Sequence, residues 1–426
     1  MTLTLFIAGW LLLVILGTPI GMSMVVSSLG YFLYAGTGLG FSAQRIVDGL
    51  NSFPVIAVPL FILAANLFNV SGITNHLFGF ASSLVGHVRG GLGHVNILAS
   101  LFFSGMSGSA LADAGGLGKL EAKAMHDAGY PQDLSASLTA VSALLGPLVP
   151  PSIPMVIYGV ISGASIGGLF LGGIIPGLLC TIAMMVMLYI VAGRRSLPVE
   201  RRTPAREVAR LFVYSLPALL TPVVIIGGIF SGLFSPTEAA AVTVAYALLV
   251  SSLIYRQMSF KKLWSCFYDT TIVSSAIAWN LGGVAMMGVV LAMENAPAQM
   301  TVLFTTWADG PVVFLLLVCL LLLVLGCFID LLALLLVLVP SLIPVATTFG
   351  IDPVHFGVVV ILTLMIGTIT PPMGMVLFVV AQSHDYPVHK LAVAILPWLL
   401  PLLIVLVAMV LYPPIVTFLP NLFMGT

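Results

Sequence analysis

The chain is a succession of long apolar runs separated by short polar breaks. About 20 apolar residues in a helix cross a hydrocarbon core of ~30 Å. Runs of this kind lie near 4–18, 20–37, 54–71, 133–159, 165–193, 211–231, 236–255, 270–293, 354–381 and 391–419, and each predicts a membrane-spanning helix. Two further apolar stretches, 94–128 and 311–348, are interrupted midway by glycine and polar residues and predict re-entrant helical hairpins. Ser42–Ser52 and Ile73–Val88 mix polar and apolar positions, which suits helices lying in the membrane interface. Met1–Ile20 lacks a basic start and a small-residue cleavage site, so it reads as a first span and not a removable signal.

Composition turns this pattern into a class. Of 426 residues, 60% are apolar and 7% charged, against about 25% charged in a soluble domain. Fourteen basic and 14 acidic side chains cannot solvate the surface of a globule this size. A soluble enzyme, a secreted disulfide scaffold and a disordered chain are excluded, leaving an all-α polytopic protein whose first partner is the lipid bilayer. A net charge of zero and the lack of a long Lys/Arg run argue against nucleic acid. Cys180, Cys266, Cys319 and Cys327 show no CxxC-type spacing, and the seven histidines stand at no ligand spacing with Cys, Asp or Glu. No transition metal and no catalytic residue is therefore expected.

Arg and Lys set the orientation. The linker 194–210 holds Arg194, Arg195, Arg201, Arg202, Arg206 and Arg210 against Glu200 and Glu207, and the next loop holds Arg256, Lys261 and Lys262. Both belong on the cytoplasmic side, which puts both termini outside. Ser235-Pro236-Thr237-Glu238 reads as a capping box with proline at the first helical position.

The sequence repeats itself at a spacing of 221 residues: Gly129…Gly146-x-x-x-Pro150-Pro151 recurs as Gly350…Gly367-x-x-x-Pro371-Pro372. The same offset lays Ser104-Gly105-Met106-Ser107-Gly108-Ser109 on Leu325-Gly326-Cys327-Phe328-Ile329-Asp330. By span count the copies begin at opposite faces, so they form an inverted repeat, as in many secondary transporters.

Each copy ends in a helix that cannot continue. Proline removes an N–H donor and clashes with the preceding turn, so carbonyls before Pro147, Pro150 and Pro151, and around Thr368-Ile369-Thr370-Pro371-Pro372, lose their partners. Unpaired backbone at membrane depth is tolerated against protein or a water-filled cavity. Ser104, Ser107, Ser109, Gly146 and Pro150 on one side, and Gly326, Asp330, Gly367, Thr368 and Thr370 on the other, would supply oxygen-rich cages suited to a hard cation, with sodium expected. Asp330, a carboxylate inside an apolar run, is either an ion-site residue or a cap for the hairpin tip. Asn66 and Asp113 are candidates for a substrate cavity.

These residues resemble the large membrane (M) subunit of tripartite ATP-independent periplasmic (TRAP) transporters. The resemblance is carried in order by Phe102–Ser109, Gly129-Tyr130-Pro131, Leu145–Pro154, Gly173–Gly177, Ser235–Ala241, Asp330 and Gly367–Gly374. It implies a scaffold and a mobile elevator domain, coupling to Na⁺, a small membrane (Q) subunit, a periplasmic substrate-binding (P) protein, and a small organic acid as cargo. It implies the bacterial inner membrane. The expected organisation is 1–53 as N-terminal scaffold helices and 54–193 as the first repeat. A basic linker with a scaffold helix pair would follow over 194–269, then the second repeat over 270–426. The competing reading is a single-component sodium/carboxylate symporter of related fold.

Overall fold

A computed structural model describes residues 2–51, 53–194 and 197–425; Ser52 and Arg195, named above, lie outside them. Every regular element among the described residues is helical. Five helices are long and apolar enough to cross a membrane, or up to nine if each bent pair forms one span. The protein is an integral membrane protein.

Several expected spans are corrected at their ends. The helix expected over 270–293 is Phe260–Met293, 34 residues long. Ser259 accepts from the Lys262 amide at 3.3 Å and starts the helix early, so Lys261 and Lys262 lie on its first turn and not in a loop. Similarly, Ala205–Phe230 begins behind Pro204 and takes Arg206, Glu207 and Arg210 out of the linker. The run 391–419 is three helices, Val388–Ala394, Leu396–Leu411 and Pro414–Met424. Pro397 and the pair Pro413-Pro414 remove the N–H groups a single helix would need. The first two spans are Thr2–Ile15 and Ile20–Tyr34, divided at Pro19, and the mixed segments are helices Gly38–Leu50 and Ile73–Val85. The capping box is present: Glu238 N donates to Ser235 Oγ at 3.3 Å, and Ser235 N to Glu238 Oε2 at 2.7 Å.

Both proline-rich spans break. Gln132–Leu148 and Ile153–Ser162 meet at 42°, and Pro353–Thr368 gives way to Met375–Ser383 across residues 369–374. The stretch 94–128 is the helix Gly91–Ser107, a two-residue tip, and helical backbone from Ala110 through a π turn at Asp113–Leu117 to Asp127. Its counterpart is Pro311–Gly326, a tip over 327–330, and Leu331–Thr348. Element ends repeat as the sequence does. Ala110 and Leu331 start the second arms, Asp127 and Thr348 end them, Gln132 and Pro353 start the broken helices, and Ser162 and Ser383 end them, each pair 221 residues apart.

Helix Phe260–Met293 joins two packing regions. Its end, with Met286, Met287 and Val290, packs on Phe6, Met24 and Phe32 of the first two helices. Its middle meets the main core through Ile277 and Leu281. The linker is pinned to the rest: Tyr130 Oη accepts from Leu92 N at 3.2 Å and donates to the Pro198 carbonyl at 3.0 Å, while Ser82 donates to Glu200 at 2.6 Å. Burial raises the Tyr130 phenol pKa above its ordinary value, so it stays a donor.

Candidate functional site

The two tips and the two breaks, far apart in sequence, enclose one cavity of about 270 Å³. Gly108–Leu111 line it from the first tip, Asp330–Leu332 from the second. Pro147, Ile153 and Pro154 come from the first break; Thr368, Met375 and Val376 from the second. Ile62, Val273 and Ile277, from helices Ala57–Val70 and Phe260–Met293, complete an apolar wall.

Glycine allows each tip to reach its break. Gly108 adopts φ +60°, and a Cβ there would stand 2.5 Å from the Pro151 carbonyl oxygen. A Cβ on Gly146 would lie 2.9 Å from the Ser109 carbonyl carbon. In the second half a Cβ on Gly367 would stand 2.8 Å from the Gly326 Cα, and Gly374 N donates to the Cys327 carbonyl at 3.1 Å. Backbone lies on backbone at both seats. Both Pro150-Pro151 and Pro371-Pro372 bonds are cis.

Hydroxyl groups bond to backbone carbonyls at both breaks. Ser152 donates to the Pro147 carbonyl and accepts from Met155 N at 3.3 Å. Thr368 donates to Met365 O at 2.7 Å and Thr370 to Ile366 O at 2.6 Å. A hydroxyl so engaged keeps its lone pairs for another ligand. Ser109 and Asp330, equivalent in the repeat, both cap the arm that follows. Ser109 Oγ accepts from Ala112 N at 3.4 Å and Asp330 Oδ2 from Leu332 N at 2.9 Å.

Of the residues singled out in the sequence, Ser109, Asp330 and Thr368 line the cavity. Gly146, Gly326 and Gly367 stand behind them and form the seats, and Pro150 lies in the first break between Leu148 and Ile153. Ser104 donates to Leu101 O at 2.6 Å within its own helix, and the Ser107 hydroxyl is buried without a hydrogen-bond partner. Asn66 is turned away, donating to Thr270 Oγ1 at 3.0 Å, and Asp113 is buried behind the first tip; neither is among the lining residues. Nothing in the sequence marks the Ile62, Val273 and Ile277 wall, because apolar residues in apolar helices look alike wherever they face.

Four helical segments start at this cavity: Ala110, Ile153, Leu331 and Met375 are first residues and all line it. Their N–H groups and dipoles favour an anion. The helix ends at Leu148 and Thr368 bring carbonyls to the same region and favour a cation. Asp330 is the one ionisable residue among those lining the cavity.

Residues 7–415 match the family described as the tripartite ATP-independent periplasmic transporter, DctM component. The sialic acid TRAP transporter large permease protein SiaM of Vibrio cholerae is 50% identical over 420 residues, 98% of each chain. The sialic acid TRAP transporter permease protein SiaT of Haemophilus influenzae is 45% identical, covering 97% of this chain and 67% of that one. The C4-dicarboxylate large permease DctM of Pseudomonas aeruginosa is 34% identical over 92% of each. The crystal structure of the Alcanivorax borkumensis YdaH transporter shares the fold, with TM-score 0.62, 16% identity and 88% of each chain covered. The relatives are permeases and not enzymes, and this chain belongs to their family, the large membrane subunits of TRAP transporters.

Proposed function

We propose that this chain is the permease of a sodium-driven, binding-protein-dependent importer of a small organic acid, with sialic acid the first cargo to test. The convergence of four helix starts on one cavity carries this reading. No Lys or Arg lines the cavity, so a cargo carboxylate would be held by backbone N–H groups. Na⁺ would bind behind each tip. Ser104, Ser107 and Ser109 with carbonyls near Gly146 and Pro150 would serve one site, and Asp330, Thr368 and Thr370 with carbonyls near Gly326 and Gly367 the other. The orphaned Ser107 hydroxyl and the spare lone pairs on Thr368 and Thr370 fit an oxygen-loving cation.

Bound ions would fix the tips on their seats and close the cavity. The two inverted repeats would then carry it across the inner membrane as an elevator, against scaffold helices held by a small membrane subunit. A periplasmic protein would deliver the cargo. The two sialic acid relatives, at 50% and 45% identity, support the choice of cargo. The test is uptake of sialic acid into proteoliposomes holding this chain with its small partner, with and without a Na⁺ gradient and with and without the binding protein. Uptake that needs both supports the reading. Equal uptake without the binding protein overturns it in favour of a single-component symporter.

A further inference from the structure

Glu121, on helix Gly118–Asp127, is fully buried and takes no part in the cavity. Its hydrogen bonds all reach one oxygen. Ser100 donates to Ser142 Oγ at 3.1 Å and Ser142 to Asn96 Oδ1 at 2.8 Å. The Asn96 amide gives its two protons to Glu121 Oε2 and Thr139 Oγ1, both at 2.7 Å. Thr139 Oγ1 also lies 3.2 Å from Oε2. Every donor in the network is thereby spent, and Glu121 Oε1 receives none. The Asp113 carboxylate, in the π turn before this helix, is 1% exposed, and its charge bears on Glu121.

Among the described residues, no cation pairs with this charge. Helix Gly91–Ser107 contributes His94 and helix Gln132–Ser142 contributes Asp133, while the turn after Met375–Ser383 contributes His384 and Asp385. Lys119, Lys123, His126 and Asp127 share the helix of Glu121. Two ionised carboxylates in so dry a place, one of them with an oxygen that receives no donor, carry a heavy desolvation penalty. A proton on the Glu121 carboxyl removes one of the two charges.

A second cavity, of about 350 Å³, lies beside this cluster and is lined by Lys119, Lys123, His126 and His384. His384 touches both: it lines the cavity, and its Nε2 stands 3.4 Å from Thr139 Oγ1. Its Nδ1 lies 3.2 Å from the Val380 carbonyl, which places the ring proton there and leaves the Nε2 lone pair toward Thr139. Burial pushes the His384 pKa down to about 4, so the ring is neutral at pH 7 and brings no compensating charge.

We propose that Glu121 is a proton site, carrying one proton at neutral pH and separated from the second cavity by Thr139 and His384. On loading, hydronium gives up one O–H bond and becomes water while the carboxylate gains one and loses its charge; unloading is the reverse. The site is separate from the cargo cavity and does not depend on the identity of the cargo.

Infrared spectroscopy of the purified full chain at pH 7 tests this. The wild type should show a protonated carboxylic-acid C=O band that Glu121→Gln abolishes and Asp330→Asn retains. Raising the pH should remove the band. Asp113→Asn, which deletes the neighbouring charge, should shift that loss to lower pH, a readout that stands if Glu121→Gln fails to fold. Wild-type and Glu121→Gln spectra without a carboxylic-acid difference would overturn the proposal. So would an unshifted titration in Asp113→Asn, or a band erased by Na⁺ at constant pH, which would make Glu121 a cation ligand.

Discussion

Asp330 holds the start of Leu331–Thr348 through the Leu332 amide and at the same time lines the cavity between the two tips. The two roles separate by substitution. Asp330→Asn keeps a capping oxygen and removes the charge, so the thermal midpoint should hold while the Na⁺ needed for half-maximal uptake rises about tenfold or more. Asp330→Ala should weaken both stability and Na⁺ dependence, with the lost cap alone costing ~1 kcal/mol. An unchanged Na⁺ dependence in Asp330→Asn would leave the residue with the cap alone. His384 makes a prediction about pH. It sits in the turn between Ser383 and Val388, outside the crossing helices, with a folded pKa of about 4 against 6.5 when exposed. Between those values the opened turn binds a proton that the folded turn does not, so its stability falls as pH drops from 6.5 toward 4. Hydrogen exchange at residues 383–387 should quicken over that window, and His384→Gln should flatten the dependence. Asp330 was legible in the sequence because a lone carboxylate in an apolar run has no cheap explanation. Glu121 was not: Gly118–Asp127 carries Lys119, Lys123, His126 and Asp127 and looks like a solvated segment, and only tertiary packing buries its inner face.

Among the helices and tips, punctuation was the reliable signal. Paired prolines and glycines announced both breaks, and the 221-residue repeat carried through to the ends of the helices. Helix starts set by a polar cap were less visible. Phe260-Lys261-Lys262 reads as loop until Ser259 is seen to accept from Lys262 N. The crossing of Pro311–Gly326 over Pro353–Thr368 rests on two glycines that bring backbone against backbone, a packing that side chains cannot share. Gly367→Ala should force these helices apart, costing ~1–3 kcal/mol by overpacking, seen as a lower thermal midpoint and reduced Na⁺-driven uptake. Gly288→Ala, where a new Cβ meets nothing within 4 Å, is the matched control and should be tolerated. Equal behaviour of the two variants would show that the second tip does not need its close seat.

At the scale of the whole molecule, helix Phe260–Met293 faces the N-terminal helices with one end and the cavity with Val273 and Ile277. Large apolar side chains remain exposed along the outside, Trp264 at 67% and Phe260 at 82% among them, as a lipid-facing surface requires. The membrane class and the repeated layout were legible because they follow from composition and repeat spacing. The joining of both tips in one cavity was not, since no local pattern encodes which distant segments meet. Transport by the proposed route requires this cavity to open to either side of the membrane and to close when loaded. Leu111, on the first tip, lines it and is 41% exposed, while all four native cysteines are buried. The decisive experiment places Leu111→Cys in proteoliposomes and treats it with a membrane-impermeant maleimide from each side in turn. Alternating exposure gives labelling from both sides without ligand and protection when Na⁺ and cargo are added together. Labelling from one side only, whatever the ligands, would contradict it.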